Sequence, residues 1–354
     1  MKVRAALIGG AALAAASALA KSRERKRDDI RGEVAIVTGA SRGLGLLLAR
    51  ELARHGCPLV IGARDAAELE RAADQLRAEG AEVTAVAGDV TDETVPHRLI
   101  EAATERYGRI DIVISNAGII QVGPVTDAEF GHFETALDTM ALAPVRLALA
   151  ALPVMRRQQH GRIVTITSIG GKLSVPHLLP YSTAKFAAVG FSEGLRAELG
   201  RGPVTVTTVV PGLMRTGSYL QARFTGRAEE EFTWFSLGAS LPVISMDAER
   251  AARQIIEAVR GRQAEIILTP AAQVVSRVAD LAPGLTSDIL HFVQRLALPR
   301  PAGTGPDGTA PAGDEGAPGY RLDPAMSRKA FDRLTVLGRA AASRFNERRS
   351  ADQT

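Results

Sequence analysis

The stretch Gly32-Glu-Val-Ala-Ile-Val-Thr-Gly-Ala-Ser-Arg-Gly-Leu-Gly-Leu-Leu-Leu-Ala-Arg50 decides the fold of this chain. Its apolar run 34–37 predicts a buried strand, and a glycine-rich turn then leads into a helix that we expect to end near His55. Glycines let a backbone approach a phosphate group closely, and the first turn of a helix offers free N–H groups to it. The stretch therefore predicts a phosphate-binding strand–turn–helix unit.

The same alternation of strand and helix continues along the chain to about residue 270. Strands joined by helical crossovers lie parallel in one sheet. The predicted fold class is α/β, a Rossmann-like doubly wound parallel sheet of seven strands, with helical N- and C-terminal extensions. After the first strand, we predict strands at residues 58–64, ending at 88–90, at 110–116, at 161–168, at 204–210 and at 265–268.

The charge distribution argues against a nucleic-acid-binding protein. The 43 lysines and arginines exceed the 39 aspartates and glutamates by four, and the excess lies in the tails, above all in residues 1–31. A basic groove across the main domain is therefore not expected. Cys57 is the only cysteine, which excludes a disulfide within the chain and a zinc site built from cysteines, and the six histidines show no metal-ligand spacing.

A tyrosine and a lysine lie one helical turn apart in Tyr181-Ser-Thr-Ala-Lys185, and Ser168 ends a predicted strand upstream of them. On one helix face, the Lys185 ammonium can stabilise the Tyr181 phenolate and so lower the tyrosine pKa. The Ser168 hydroxyl lies at the carboxyl end of a strand, where open α/β sheets bind ligands. For the Tyr–Lys pair alone the alternative is an exposed helix pair. With Ser168, the three groups predict a redox site for carbonyls and alcohols that lacks only a hydride donor.

The end of the second predicted strand indicates which dinucleotide the chain binds. An NAD site keeps an acidic residue there for the ribose hydroxyls. This chain has Ala63 and Arg64 instead, with Arg42 in the glycine-rich turn. Two guanidinium groups that converge on the ribose suit a 2′-phosphate. These residues predict NADP (NADPH) as the cofactor; the alternative is two solvated arginines.

Taken together, these motifs resemble the classical short-chain dehydrogenase/reductase family over roughly residues 32–270. The resemblance implies an NAD(P)-dependent oxidoreductase in which Ser168, Tyr181 and Lys185 form the catalytic triad and act on a small-molecule carbonyl or alcohol. It also implies a homo-oligomer, since family members are often dimers or tetramers. With the two arginines added, the predicted cofactor-binding residues are Thr38, Gly39, Ser41, Arg42, Gly43, Gly45, Arg64, Asp89, Asn116, Gly118, Tyr181, Lys185, Pro211, Gly212 and Thr216.

Several of these positions match residues with a specific role in that family. Asp89 matches an acid that contacts the adenine, and Asn116-Ala-Gly118 matches a structural turn. Pro211-Gly212 followed by Thr216 matches the segment that holds the nicotinamide amide. The resemblance further implies that Lys185 holds the nicotinamide ribose.

One position departs from the family pattern. Aligning Leu137-Asp-Thr-Met140 places Met140 where the family has an asparagine that helps to hold a water in a proton relay to the lysine. A methionine side chain has no N–H or O–H donor, so the relay is not carried over to this chain. Met140 favours the alternative function, a non-catalytic family member that binds cofactor and acts as a membrane-linked sensor or scaffold. The intact triad favours the enzyme.

The N-terminal segment 1–31 combines an uncharged run, Ala5–Ala20, with the basic cluster Lys21–Arg27. Three interpretations compete: a membrane anchor whose basic end stays in the cytoplasm, a cleaved secretory signal, and a helix that lies on the surface. The uncharged run reaches only about 24 Å as a helix, short of a hydrocarbon core of ~30 Å. Secretion would separate the enzyme from its nicotinamide cofactor. We therefore expect the cytoplasmic face of a membrane, with the cytoplasm as the alternative.

Residues 213–246 interrupt the alternation and show no clear strand. Because they follow the carboxyl end of a strand, they suit a substrate lid with an apolar lining; the alternative is a surface excursion packed by its own aromatic side chains. Such a lid and a membrane anchor together predict a lipophilic substrate. His177 is a candidate substrate contact because it lies near Tyr181. The aromatic residues on which the lid interpretation depends are Phe224, Phe232, Trp234 and Phe235.

The chain beyond residue 270 predicts two further units joined by a linker. Residues 271–298 are expected to be helical, with a break near Pro283, and residues 299–322 are rich in proline and glycine, which predicts a flexible linker.

An amphipathic helix is predicted over residues 323–349, with Asp323 as its N-cap and Pro324 at its first position. We expect it to pack on its own domain; a partner or a membrane surface is the alternative. Its predicted apolar face consists of Met326, Ala330, Leu334, Leu337, Ala341 and Phe345.

Overall fold

A computed structural model describes residues 27–242, 244–301, 316–323 and 329–347. Most of the predicted anchor segment, residues 1–26, lies outside the described residues, as do residues 302–315 of the predicted linker. Pro324 and Met326 of the predicted last helix lie outside them as well.

Seven parallel strands form one central sheet, which confirms the predicted fold class. The strands are β1 (Ala35–Thr38), β2 (Leu59–Ala63), β3 (Val83–Ala87), β4 (Ile112–Ser115), β5 (Gly161–Ile166), β6 (Val204–Val210) and β7 (Glu265–Ile267). Their order across the sheet is β7-β6-β5-β4-β1-β2-β3. The order of the strands therefore reverses between β1 and β4, and ligands of open α/β sheets bind at the carboxyl ends beside such a point.

Helices cover both faces of the sheet and connect its strands. They are α1 (Gly43–Arg54), α2 (Ala66–Ala78), α3 (Thr94–Tyr107), α4 (Phe130–Leu137), α5 (Ala143–Gln158), α6 (Leu179–Leu199), α7 (Ala228–Ser240), α8 (Ala248–Arg260), α9 (Pro270–Leu281), α10 (Pro283–Ala297), α11 (Gly319–Leu322) and α12 (Lys329–Arg344). One apolar core joins α1, α2 and α8 to one face of the sheet, and a second joins α3, α5 and α6 to the other face.

Several helices begin where the sequence supplies a hydrogen-bond acceptor. Asp65 caps α2 by accepting a hydrogen bond from the Glu68 N–H at 2.9 Å, and Asp247 caps α8 by accepting from Arg250 at the same distance. Such caps satisfy backbone donors that the first helical turn leaves free. α1 is different, because its first residues follow the glycine-rich turn and Arg42 makes no side-chain cap.

The predicted long helix before β5 consists of three parts. A π-helical segment, Asp138–Leu142, separates α4 from α5 and contains Met140. The whole stretch Phe130–Gln158 is long and apolar enough to cross a membrane by length and composition. Leu147, Ala151 and Met155 of this stretch nevertheless lie in the core beneath the sheet, which identifies it as a core helix.

Residues 213–246, called the insert below, contain helix α7 and short two-residue strands. Their aromatic side chains pack on one another: the Phe232 ring lies 5.4 Å from Phe224 and 5.8 Å from Tyr219, centroid to centroid. Phe224, Phe232 and Phe235 are buried. The aromatic residues of the insert therefore fill a core of their own, and Tyr181 packs against that core.

The C-terminal helix α12 packs on the insert, as expected, but not with the predicted face. Phe331 is buried and lies 6.2 Å from Phe232, whereas Leu334 and Leu337 are about half exposed. Ala341 and Phe345 are buried as predicted.

Asp323 does not act as the N-cap of α12. It has helical backbone angles at the end of α11, and its carboxylate pairs with Arg339 at 2.9 Å. The break in the helical extension falls at Ala282, beside the predicted Pro283, because α9 ends at Leu281 and α10 begins at Pro283.

Candidate active site

Ser168 and Tyr181 meet at the carboxyl end of β5. Ser168 follows the strand, and its hydroxyl accepts a hydrogen bond from the Gly170 N–H at 3.0 Å. It also makes a hydrogen bond with the Tyr181 phenol. A side chain at Gly170 would lie about 3.1 Å from the Tyr181 ring, so a glycine there leaves room for the phenol. The chain thus brings a serine hydroxyl and a tyrosine hydroxyl into contact.

Lys185 lies one turn beyond Tyr181 on α6 and is buried. Its ammonium donates a hydrogen bond to the Ile166 carbonyl at 2.9 Å and lies 5.7 Å from the centroid of the Tyr181 ring. Burial lowers the pKa of Lys185 to about 8, because the interior disfavours the charged form.

The pKa of Tyr181 is raised rather than lowered. Burial of the phenol raises it, and the hydrogen bond with Ser168 acts in the opposite direction without reversing it. The predicted lowering of the Tyr181 pKa by Lys185 is therefore wrong for this structure, where the nearest acceptor of the ammonium is a backbone carbonyl. At neutral pH, Tyr181 is a protonated phenol and can act as a proton donor.

Met140 lies beside this triad in a dry, apolar environment. Its side chain is 1% exposed and packs with Ala136, Ala184 and Tyr181. A side chain at Gly118 would lie 3.4 Å from the Met140 sulfur, so the glycine admits it. The position offers no hydrogen-bond donor, in agreement with the sequence.

Thr38 and Asn116 join the glycine-rich turn to the end of β4. The Thr38 hydroxyl accepts hydrogen bonds from the N–H groups of Asn116 at 3.0 Å and Ala117 at 3.2 Å. The Asn116 amide donates in turn to the carbonyls of Thr38 at 3.0 Å and Gly39 at 3.2 Å. This network holds the turn open at the point where the strand order reverses.

The glycines of the turn are required by contact and by conformation. Gly39 and Gly43 have positive φ angles of 65° and 55°, which L side chains rarely adopt. A side chain at Gly39 would lie 2.8 Å from Ala117 Cα, and one at Gly45 would collide with the Gly39 carbonyl. A backbone without side chains at the start of a helix fits the phosphates of a dinucleotide.

The two arginines predicted for the 2′-phosphate each have a carboxylate partner. Arg42 lies 3.1 Å from Glu68, and the exposed Arg64 lies 3.7 Å from Asp89. Asp89 also accepts hydrogen bonds from Thr91, at 2.8 Å from its hydroxyl and 3.0 Å from its N–H. Both guanidinium groups are thus paired with acids.

The loop after β6 lies against the Ser168 loop. The Pro211 carbonyl accepts a hydrogen bond from the Ile169 N–H at 2.7 Å, so Gly212 and the residues after it follow the edge of the site. Thr216 is buried, and its hydroxyl accepts from the Ser218 N–H at 3.1 Å. Glycine turn, triad and Pro211 loop thus share the carboxyl edge of the sheet.

A sequence profile described as short chain dehydrogenase matches residues 33–224, more than half of the chain. The chain belongs to the short-chain dehydrogenase/reductase family. As a member of this family, it is an oxidoreductase that uses a nicotinamide dinucleotide and acts on a small molecule.

Two curated family members align over most of the chain. Dehydrogenase/reductase SDR family member 7B of Bos taurus is 30% identical over 268 residues, 74% of this chain and 81% of the relative. 17-beta-hydroxysteroid dehydrogenase 13 of Mus musculus is 28% identical over 270 residues, 75% of this chain and 83% of the relative. Among solved structures, a short-chain dehydrogenase/reductase from Burkholderia phymatum in complex with NAD has a TM-score of 0.67 and 26% identity. That likeness covers 73% of this chain and 96% of the solved chain.

A groove of about 820 Å³ opens near the start of the Tyr181 helix of this short-chain dehydrogenase/reductase and is lined there by Leu179 and Phe186. One wall is the segment 172–179 that leads into the Tyr181 helix, and the other is the helical pair α9–α10. His177, the predicted substrate contact, lines the groove but is buried and hydrogen-bonded to Glu231 at 2.8 Å. Glu231 was not foreseen, because nothing in the sequence near residue 231 indicates a buried acid.

The contact of residues 345–347 with the glycine-rich turn was not predicted either. Phe345, Asn346 and Glu347 lie against the glycine-rich turn although they follow it by some three hundred positions. No local pattern of charge or hydrophobicity predicts such a contact between remote segments.

Proposed function

We propose that this short-chain dehydrogenase/reductase transfers a hydride between NADP and the carbonyl or secondary alcohol of a lipophilic substrate. The observation that carries the proposal is the hydrogen-bonded Ser168–Tyr181 pair with Lys185 one turn away. When bound, the nicotinamide supplies or accepts the hydride. All three side chains lie at the same edge of the sheet as the glycine-rich turn.

In this proposal Ser168 holds the substrate oxygen and Tyr181 exchanges its proton. A phenol whose pKa is raised by burial is protonated at neutral pH, which suits proton donation to a carbonyl oxygen that accepts a hydride at its carbon. Lys185 keeps the Tyr181 helix against β5 through the Ile166 carbonyl and holds the nicotinamide ribose, as the family resemblance implies.

The preference for NADP is supported by Arg42 and Arg64. No acidic residue ends β2, where an NAD enzyme would bind the ribose hydroxyls. For Arg64 and Arg42 to bind a 2′-phosphate, each would exchange a carboxylate partner for a phosphate oxygen, and charge-assisted hydrogen bonds are available in both states. Asn116 and the turn glycines would hold the rest of the dinucleotide.

A lipophilic substrate and the cytoplasmic face of a membrane are supported by the helical pair α9–α10. One side of this pair lines the groove, whereas the other presents a row of apolar side chains to the outside. Apolar faces of this kind mark contacts with membranes or partners. The most exposed members are Val274, Leu281, Leu285, Phe292 and Leu296. The name of the mouse relative, a hydroxysteroid dehydrogenase, is consistent with an apolar substrate.

The alternative function is a cofactor-binding scaffold without turnover, favoured by Met140. A homo-oligomer is proposed in either case. The exposed Leu149 and Phe186, on the neighbouring helices α5 and α6, support it.

The two functions are separated by assaying NADPH oxidation with a panel of short and long aldehydes and ketones. We expect turnover by wild type and a loss of at least ~10²-fold in Tyr181→Phe, with cofactor binding nearly unchanged, because only the transferable proton is removed. Tyr107→Phe is the matched control, since Tyr107 lies on α3 and its hydroxyl is hydrogen-bonded to Thr84 at 3.4 Å. Cofactor binding without turnover of any carbonyl would establish the scaffold.

A further inference from the structure

The C-terminal end of α12 lies on the N-terminal end of α1. The Phe345 carbonyl accepts a hydrogen bond from the Gly43 N–H at 2.8 Å. Gly43 is the first residue of α1, and its N–H is one of the donors that a helix start offers to a phosphate. A backbone oxygen of the same chain therefore occupies a donor of the predicted phosphate site.

A carboxylate accompanies that carbonyl. Glu347 is 4% exposed, and a side chain at Gly43 would collide with its Oε1 atom. The Thr216 side chain borders the same point, 3.9 Å from it. The Glu347 Oε2 atom is buried and has no hydrogen-bond partner among the residues that the structure describes. A buried acid thus stands between the glycine-rich turn and the loop predicted to hold the nicotinamide.

The residues that follow α12 hold Glu347 close to the turn. Asn346 has a φ of 58°, the left-handed conformation with which helices commonly end, and it reverses the chain over α1. Its amide donates to the Ser41 carbonyl at 3.4 Å and to Gln75 at 3.0 Å. The Glu347 carbonyl accepts from the Gln221 amide of the insert at 2.7 Å. The Phe345 ring is buried in the main core and anchors the whole end.

This arrangement is incompatible with a dinucleotide bound across the turn. A molecule whose phosphates contact the α1 N-terminus and whose nicotinamide reaches Thr216 has to pass the position of Glu347. Two anions cannot share one helix N-terminus at low cost. Burying the unpartnered carboxylate also costs free energy. Its release from this position therefore opposes ligand binding less than the release of a fully hydrogen-bonded group would.

We propose that the Phe345 carbonyl, Asn346 and Glu347, together called the C-terminal cap, block the cofactor site when they lie against the glycine-rich turn. The cap must move out before a dinucleotide binds, so that it is an autoinhibitory element of the chain. The Phe345 ring remains in the core as the hinge. The inference rests on the proposed dinucleotide site but not on the substrate or the triad.

The effect of the cap on dinucleotide affinity depends on the fraction of molecules in which the cap is open. If the open form is a minor one, the apparent dissociation constant exceeds the intrinsic one by the inverse of its fraction. Two variants should weaken the cap: a chain that ends at Asn346, which loses Glu347 and its hydrogen bond from Gln221, and Asn346→Pro, because proline cannot adopt a positive φ. Asn346→Gly is the matched control, since glycine keeps that conformation.

The first measurement is the dissociation constant of NADPH and of NADH, by calorimetry on the full chain without substrate. We expect the shortened chain and Asn346→Pro to bind both about tenfold more tightly than wild type, and Asn346→Gly to bind like wild type. Unchanged affinity in both cap-opening variants would overturn the proposal.

The second measurement is amide hydrogen exchange of peptides from residues 340–347. Bound dinucleotide should speed exchange there if it expels the cap, and should slow it if the segment merely lines the pocket. Slower exchange would therefore overturn the proposal, as would a failure of all variants to bind any dinucleotide. A protein that binds dinucleotide with release of the cap but turns over no carbonyl would refute the proposed function alone.

Discussion

His177 Nδ1 lies 2.8 Å from Glu231 Oε1, and both side chains are buried. The second carboxylate oxygen of Glu231 accepts a hydrogen bond from the Trp234 indole at 2.6 Å. The pair joins the loop four residues before Tyr181 to helix α7 of the insert. It therefore couples the position of Tyr181 to the packing of a segment that lies outside the sheet.

We predict that His177→Ala lowers the free energy of unfolding by about 3–5 kcal/mol, because it leaves the Glu231 carboxylate buried without its imidazole partner. Urea denaturation provides the measurement. His97→Ala is the control, since His97 is exposed on α3 and its loss should change the free energy by less than about 0.5 kcal/mol. Equal effects of the two substitutions would show that the His177–Glu231 pair does not stabilise the insert.

Cofactor choice should depend on Arg64. We expect wild type to prefer NADPH over NADH, and Arg64→Ala to lower kcat/KM for NADPH about ten- to hundredfold, the worth of a hydrogen bond to a charged group. The value for NADH should change little. Arg71→Ala, an exposed arginine on α2, is the control. Equal kcat/KM values for the two cofactors in wild type would remove the argument for a 2′-phosphate site.

Met140→Asn tests the missing proton relay. An asparagine placed in this apolar cluster should lower the free energy of unfolding by about 1–3 kcal/mol, because its amide has no partner there. We expect kcat to stay the same or to rise, with Met140→Leu as the apolar control. The enzyme hypothesis would be refuted if wild type turned over no carbonyl and Met140→Asn restored turnover.

Cofactor affinity should rise with pH because of Glu347. Burial raises its pKa to about 7; the nearby Glu68 adds to the increase and Arg42 opposes it. A carboxyl whose pKa is raised in the capped state stabilises that state fully below its ordinary value of 4.5, and this contribution is lost as the pH rises to about 7. Deprotonation therefore favours release of the cap.

Between pH 6 and pH 8, NADH should bind about tenfold more tightly to wild type, as a shift of the cap equilibrium over that range requires. NADH is the ligand of choice because it has no 2′-phosphate to titrate. Glu347→Gln should show no such rise and should bind more weakly than wild type at pH 8, since a neutral cap stays closed. Tighter binding by Glu347→Gln would mean that Glu347 only repels the phosphates.

Membrane association should require the N-terminal segment. Deleting residues 1–26, which spares the ion pair of Arg27 with Glu257, should release the protein from anionic vesicles in a flotation assay. In the full chain, Phe292→Ser should weaken binding through the exposed face of α10, whereas Leu334→Ser, exposed on α12, should not. A full-length protein that stays in the soluble fraction would refute the membrane proposal.

The sequence by itself determined the sheet and its connections. Runs rich in β-branched residues, such as 34–37 and 204–210, favour buried strands, and the helices between them impose parallel order. It also determined which residues are candidates for the triad, because a helical turn brings Tyr181 and Lys185 to one face and a strand end places Ser168 at the binding edge. Each of these features depends on residues close together in the sequence, so the sequence pattern is enough to predict it.

Only the tertiary structure decided which of these side chains are buried, which are exposed and what they contact. The aromatic residues of the insert face one another, because a short segment outside the sheet needs a core of its own. Leu334 and Leu337 point outward because the insert meets α12 at Phe331 instead. Tyr181 has a raised pKa because its burial outweighs the opposing hydrogen bond with Ser168. Glu347 contacts Gly43 although some three hundred residues separate them in the sequence. Contacts between such remote residues depend on the packing of all the elements between them.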